Sequence, residues 1–210
     1  MTDVHTRLLL TERDALLPVL RSTPDADFDL PTVCTEWSVR DVIAHCASAL
    51  IRVATNDLHS FSPEDNQRDV DERKPWPLAQ VLDELEHAYR LGAEAPSVAG
   101  VALGEWVHGG DIREALGRDD AYASEGVADA VGILVDRSGG RDIPATDVTL
   151  TDAAQHGVPD RLRLGDPSAE AAGQLTTDVV GLVRIAAHRR PELATATLDG
   201  VTMAELRMFF

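Results

Sequence analysis

The stretch GEWVHGGDIREALG, residues 104–117, brings a carboxylate, a histidine, a second carboxylate and an arginine into ten consecutive positions. It ends at a glycine, which is typical of a helix C-terminus. Side chains three residues apart lie on the same face of a helix, so Glu105 with His108, or His108 with Asp111, can present two donor groups together. The stretch therefore predicts a helix that begins after Pro96. This helix either binds a metal or carries a histidine on an ordinary polar face.

Three more helices are predicted before this one. Leucines at helical spacing predict the first over residues 2–21, and Ser38 with Asp41 three positions later is typical of a capping box that opens a second helix ending near residue 55. A third is predicted over residues 76–95, with the polar segment 56–74 as a long connection. Four helices with one long connection indicate a bundle.

The pattern changes after residue 120. A helix over residues 124–140 is followed by short alternating segments that start near residues 147, 161 and 196, and by an amphipathic helix that starts near residue 176. We therefore predict an α+β fold with two domains, a helical bundle over residues 1–120 and a small α+β domain over residues 121–210.

The charge of the chain argues against several classes of partner. The net charge is −17 over 210 residues and no basic run is present, which excludes a protein that tracks nucleic-acid phosphates. No segment has the roughly 18 to 20 apolar residues needed to span a bilayer, and the N-terminus lacks the features of a signal peptide. We expect a cytoplasmic protein without a membrane or nucleic-acid partner.

His45 lies in the second predicted helix between apolar residues. Such a position is typical of a hydrogen-bonded core histidine, but it also suits a metal ligand when a second histidine, His108, lies on another bundle helix. Two donors from one helix and a third from a facing helix would leave one coordination position open, which is the catalytic arrangement of zinc.

Two runs resemble the signature helices of a known family. EWSVRDVIAHCA, residues 36–47, and EWVHGGDIREALG, residues 105–117, resemble the DinB-like metal-binding bundle of the mycothiol-dependent maleylpyruvate isomerase family, and GQLTTDVVGLVRIAAHRRPE, residues 173–192, resembles the helix of its sterol-carrier-like C-terminal domain. The resemblance implies a DinB-like four-helix bundle followed by a sterol-carrier-like domain.

The resemblance also implies a site for a divalent metal, usually zinc. Its ligands are a histidine matching His45 and a Glu-x-x-x-His pair that ends at His108. Gly104 stands four residues before His108 and cannot ligate, while the glutamate lies one position later, at Glu105. Either Glu105 turns inward as the third ligand, or the site has two histidines, or it is empty.

An arginine of the family's C-terminal helix matches Arg189, in the run AHR. A guanidinium binds a carboxylate substrate through two hydrogen bonds. Without the resemblance, the simpler interpretation is that Arg189 is a cation that interacts favourably with the negative C-terminal end of a helix dipole.

The leading hypothesis is a metal-dependent enzyme, a mycothiol-dependent isomerase or thiol S-transferase. It would activate a low-molecular-weight thiol as a metal-bound thiolate and act on a small electrophilic, anionic substrate. One alternative is a family member that has lost catalysis and binds a small ligand or a regulatory partner. The second alternative is a metal-dependent hydrolase in which Glu105 is a general base.

Overall fold

The computed structural model describes residues 2–34, 36–57 and 62–208 of the chain. The chain divides into two compact units, Met1–Gly126 and Val127–Phe210. The first is helical and the second combines helices with a four-stranded sheet, which confirms the α+β prediction. Among the described residues, none of the helices combines the length and apolar character required to span a bilayer.

Five helices form the described part of the first unit: α1 (Val4–Ser22), α2 (Val39–Thr55), α3 (Pro63–Arg73), α4 (Leu78–Glu94) and α5 (Ala102–Ala115). The predicted capping box is present, because Ser38 accepts a hydrogen bond from the Asp41 backbone N–H and the Asp41 carboxylate accepts one from that of Ser38. This reciprocal pair satisfies two N–H groups that the helix itself leaves without a partner. The capping residues therefore set where α2 begins.

The core of the first unit lies between α1, α2 and α4. Leu9 and Leu50 are fully buried there. A Cβ atom added to Gly92 would lie 2.8 Å from Cδ2 of Leu50, so the glycine lets α2 and α4 approach closely. The apolar side chains that predicted these helices are therefore the side chains that pack in the core.

The predicted connection over residues 56–74 is wrong over most of its length, because it contains α3. Ser62 caps this helix and Pro63 occupies its first turn. The carboxylates of Glu64 and Asp65 interact favourably with the positive N-terminal end of the helix dipole. Its composition is so polar that hydrophobic periodicity does not reveal it. Residues 58–61 of the predicted connection lie outside the described residues.

One buried ion pair joins α1 to α5. The Arg113 guanidinium donates to both carboxylate oxygens of Glu12, at 2.7 and 3.4 Å, and neither side chain is more than 1% exposed. A Cβ atom at Gly109 would lie 1.8 Å from Oε1 of Glu12, so only glycine leaves room for the carboxylate. Burial raises the pKa of Glu12 to about 7, and the positive charge of Arg113 opposes this rise.

The second unit contains the helices α6 (Val127–Ser138), α7 (Ala153–His156) and α8 (Val179–Ala187) and the strands β1 (Thr146–Leu150), β2 (Arg161–Leu164), β3 (Gly173–Thr177) and β4 (Ala196–Asp199). The strand order is β2-β1-β3-β4, with β1 and β3 parallel and both outer pairs antiparallel. Alternate residues of β1 and β3, among them Val148 and Leu175, are buried.

Strand β3 was not predicted from the sequence. Thr176 and Thr177, predicted to open a helix, end this strand instead, and Asp178 caps α8 by accepting from the Gly181 N–H. The strand is paired on both sides, by β1 and β4. Its extended conformation thus depends on distant residues, which local sequence patterns do not report.

We expect Arg113→Met to lower the free energy of unfolding by about 3 to 5 kcal/mol, because it leaves the buried Glu12 carboxylate without its cation. Urea unfolding at pH 8 measures the loss. The control is Arg21→Met, whose exposed pairs with Asp83 and Glu86 should contribute at most about 1 kcal/mol. Equal losses in the two variants would contradict a special role for the buried pair.

The loss caused by Arg113→Met should shrink at acidic pH. Removing the cation raises the folded-state pKa of Glu12 above its value of about 7, further above that of the unfolded chain. The folded variant then holds the proton of Glu12 more tightly than the unfolded chain does. Its free energy of unfolding therefore falls as the pH rises from the pKa of Glu12 in the unfolded chain to its pKa in the folded variant. Unfolding at pH 5 and pH 8 should therefore show the smaller loss at pH 5.

Candidate metal centre

His45 lies two turns after the start of α2 and is only 8% exposed. Trp37 covers one side of its ring, with ring centroids 4.9 Å apart. Burial lowers the pKa of His45 to about 3, with smaller contributions from His108 and Arg52, so the ring is neutral. Its Nδ1 atom has no hydrogen-bond partner among the residues that the structure describes.

His108 on α5 faces His45 across the bundle. The two ring centroids lie 5.2 Å apart, and the rings are nearly perpendicular. Two imidazoles bound to one tetrahedral ion have centroids about 5 Å apart, given metal–nitrogen bonds of about 2 Å. The structure thus brings together the two predicted histidine ligands at a separation that suits a shared ion.

Asp111 is a fully buried carboxylate one turn beyond His108. Its Oδ2 lies 3.0 Å from Nδ1 of His108, and its Oδ1 accepts a hydrogen bond of 2.8 Å from the Tyr122 hydroxyl. Gly110 allows this contact, since a Cβ atom there would lie 2.4 Å from the Tyr122 ring. Tyr122 and the neighbouring glycine therefore hold the carboxylate beside the histidine.

Cys34 reaches the same place from the loop before α2. The loop is closed by hydrogen bonds from the Trp37 N–H to the Cys34 carbonyl, at 2.9 Å, and from the Cys34 N–H to Oγ1 of Thr32, at 3.1 Å. Sγ of Cys34 lies 3.2 Å from Oδ2 of Asp111 and 3.8 Å from Nδ1 of His108.

These contacts form a cluster of ligand atoms. In the described part of the chain, one group of at least three such residues has ligand atoms that all lie within 4.8 Å of one another. It consists of Cys34, His108 and Asp111, and the predicted ligand His45 is not part of it. Sulfur, nitrogen and carboxylate oxygen are all zinc ligands in proteins. The cluster is therefore able to hold a divalent ion.

Glu105, the third ligand predicted from the sequence, lies outside this cluster. It is 3% exposed and hydrogen-bonds with the Cys46 thiol, and its burial raises its pKa to about 8. Gly104, on the preceding position, faces open space, because a Cβ atom there would meet no described atom within 4 Å. The role of Glu105 as a ligand stays a prediction.

Arg189 belongs to the second unit and lies just beyond the end of α8. Its guanidinium donates to the Ala187 carbonyl at 3.1 Å, while its own carbonyl accepts from Arg184. This position fits a cation at a helix C-terminus. Its role in binding substrate stays a prediction.

Sequence reasoning assigned no role in the site to Cys34 or Tyr122, and it placed Asp111 only as one of two carboxylates near His108. The spacing of three residues was the available signal for Asp111. Cys34 had none, because it lies 74 residues from His108 in the chain.

Comparison with known proteins identifies a family to which the sequence is similar and structures with a similar fold. The family described as Mycothiol maleylpyruvate isomerase N-terminal domain matches residues 9–121, more than half of the chain. No curated protein matches the chain.

Two solved structures share the fold. The crystal structure of the mycothiol-dependent maleylpyruvate isomerase superposes with a TM-score of 0.58 at 13% identity, over 94% of this chain and 93% of that chain. A variant of that isomerase with one histidine replaced by alanine gives 0.57 at the same identity and coverage. The sterol-carrier likeness of residues 121–210 stays a prediction.

We expect Gly110→Ala and Gly104→Ala to change stability in opposite directions. The first forces a methyl group against the Tyr122 ring and should cost about 1 to 3 kcal/mol, as overpacking does. The second fills open space in a helix and should gain up to about 1 kcal/mol, because alanine restricts the unfolded chain. Urea unfolding of both variants provides the measurement, and a stable Gly110→Ala protein would contradict the close contact with Tyr122.

Proposed function

The chain belongs to the mycothiol maleylpyruvate isomerase family, whose N-terminal domain matches residues 9–121, and from this membership we propose that it is a metal-dependent enzyme that uses a low-molecular-weight thiol. The proposed thiol is mycothiol and the proposed ion is zinc. The reaction is isomerisation of, or transfer of the thiol to, a small electrophilic and anionic substrate.

The observation that carries the proposal is the pair formed by His45 and His108. They come from two helices of the bundle and their ring centroids are 5.2 Å apart. Nδ1 of His45 is a buried nitrogen without a hydrogen-bond partner among the described residues, and an unsatisfied buried polar atom is costly. A bound ion would remove that cost, so the residues present fit a divalent metal.

The chain supplies the groups that would orient such a site. The carboxylate of Asp111 lies 3.0 Å from Nδ1 of His108, so the two groups can present donor atoms to one ion. A divalent ion held here would lower the pKa of a coordinating thiol so that the sulfur of the cofactor is present as a thiolate. Glu105 lies outside the cluster of ligand atoms, and its role as the third ligand stays a proposal from the resemblance.

Arg189 is proposed to bind the anionic group of the substrate. A guanidinium offers two parallel N–H donors to a carboxylate, and this geometry discriminates a carboxylate from a neutral group. The proposal rests on the match of the run AHR to the family's C-terminal helix.

Metal content tests the ligands of the proposed site. We expect about one divalent ion per chain in untagged native protein, measured by elemental mass spectrometry, given that a catalytic zinc site holds a single ion. His45→Ala and His108→Ala should each abolish it because each removes a donor. His87→Ala is the matched control, since this histidine is exposed on α4.

Turnover tests the reaction class in the same proteins. Activity on an electrophilic anionic substrate should require both the ion and the thiol. Activity that persists without any thiol would instead favour a metal-dependent hydrolase. A native protein that binds no metal after zinc is supplied would overturn the proposal and favour a non-catalytic ligand-binding protein.

Arg189→Gln should raise KM for the anionic substrate by about tenfold or more, which corresponds to losing roughly 1.4 kcal/mol from a charge-assisted contact. Metal content should stay unchanged, because the substitution removes no donor. Arg190→Gln is the control, because Arg190 is the next residue in the chain and its side chain is exposed. Equal KM values for the two variants would remove Arg189 from the proposed substrate site.

A further inference from the structure

The cluster of Cys34, His108 and Asp111 has the dimensions of a metal site. Their ligand atoms are separated by 3.0, 3.2 and 3.8 Å. Ligand atoms on a tetrahedral zinc ion lie about 3.3 to 3.6 Å apart, given bonds of about 2.3 Å to sulfur and about 2.0 to 2.1 Å to nitrogen or oxygen. Small adjustments of side chains would therefore place all three around one ion.

We propose that Cys34 is a ligand of the metal together with His108 and Asp111. His45, whose ring lies beside that of His108, is not part of this cluster and would have to shift to bind the same ion. This inference rests on the metal-binding part of the proposed function. It assigns the sulfur donor to the loop before α2, which sequence analysis left without a role in the site.

A second, independent observation concerns the histidine whose ring lies beside that of His108. His45 is more than nine-tenths buried, its Nδ1 lacks a hydrogen-bond partner among the described residues, and its ring faces that of His108. A neutral imidazole in this place offers a lone pair to an ion.

The charges of the proposed donor set balance. Binding a divalent ion displaces the proton of the Cys34 thiol to solvent, because the thiolate is the form that binds metals. One thiolate and one carboxylate, with two neutral imidazoles, offset the two positive charges of the ion. These four donors would fill a tetrahedral shell, so the thiol of the cofactor would have to displace one of them to reach the ion.

The loop is built to hold Cys34 in position. Thr32 accepts from the Cys34 N–H and donates through its hydroxyl to the Trp37 carbonyl at 2.9 Å. Trp37 is held in turn by its indole N–H, which donates to Gln67 on α3 at 2.9 Å. Anchoring at both sides reduces the conformational entropy that a loop residue would lose on binding an ion.

Cobalt substitution tests the assignment without relying on enzyme activity. The Co²⁺-loaded native chain should show sulfur-to-cobalt charge-transfer absorption in the near ultraviolet. Cys34→Ala and Cys34→Ser should lose this band and bind Co²⁺ more than about 100-fold more weakly, beyond the range typical of changes in outer-shell contacts. Cys46→Ala should keep both the band and the affinity, since Cys46 is buried against Glu105.

The serine variant separates ligation from hydrogen bonding. A serine hydroxyl still donates to Asp111 but is a poor metal ligand, so native affinity in Cys34→Ser and Cys34→Ala would overturn the inference while leaving the histidine pair intact. A native chain that binds no metal would overturn both proposals. Loss of the band and of affinity in the Cys34 variants supports the inference, whatever the result of the turnover assay. Absence of thiol-dependent turnover would overturn the proposed function alone.

A second substitution distinguishes loss of a ligand from loss of folding. Gly104 lies one turn before His108 on the same face of α5, and space is open beside it. A glutamate at this position can reach the ion, so Gly104→Glu should restore Co²⁺ binding, without the sulfur band, in the Cys34→Ala protein. Recovery in the double variant would show that the single variant lost a donor and kept its fold.

Discussion

The buried ion pair between Glu12 and Arg113 is the contact on which the candidate site depends. It fixes α5 against α1 inside the bundle, where an uncompensated charge would be expensive. Arg113 lies on the same helix as His108 and Asp111, so the depth and rotation of α5 that satisfy the pair also decide where these two side chains point. Gly109 makes the contact possible, because no other residue leaves room for the carboxylate.

Asp111 has a comparable role within the site. One buried carboxylate is in contact with a tyrosine hydroxyl, an imidazole nitrogen and a thiol, which come from three separate parts of the first unit. A carboxylate that is fully buried must be matched by donors or by a cation. The arrangement therefore couples the position of the loop carrying Cys34 to that of α5.

The functional argument follows from these buried polar groups. A bundle core is normally filled by apolar side chains, and each polar group in it carries a cost that must be offset. One histidine, the carboxylate and the thiol are concentrated at one place, and the ring of a second histidine lies beside the first. This concentration of polar groups is the observation that supports the proposed metal site.

Local signals in the sequence determined four helices of the bundle and the capping box of α2, because these depend on residues within a few positions of each other. The two histidines became candidate ligands through the resemblance to a known family. Local signals did not reveal α3, whose polar face has no apolar period, or β3, which is held by strands on both sides. Only the tertiary structure placed Cys34 beside His108, across 74 residues of chain, and turned Glu105 towards Cys46. Which donors converge is decided by the packing of distant segments, and such packing leaves no local pattern in the sequence.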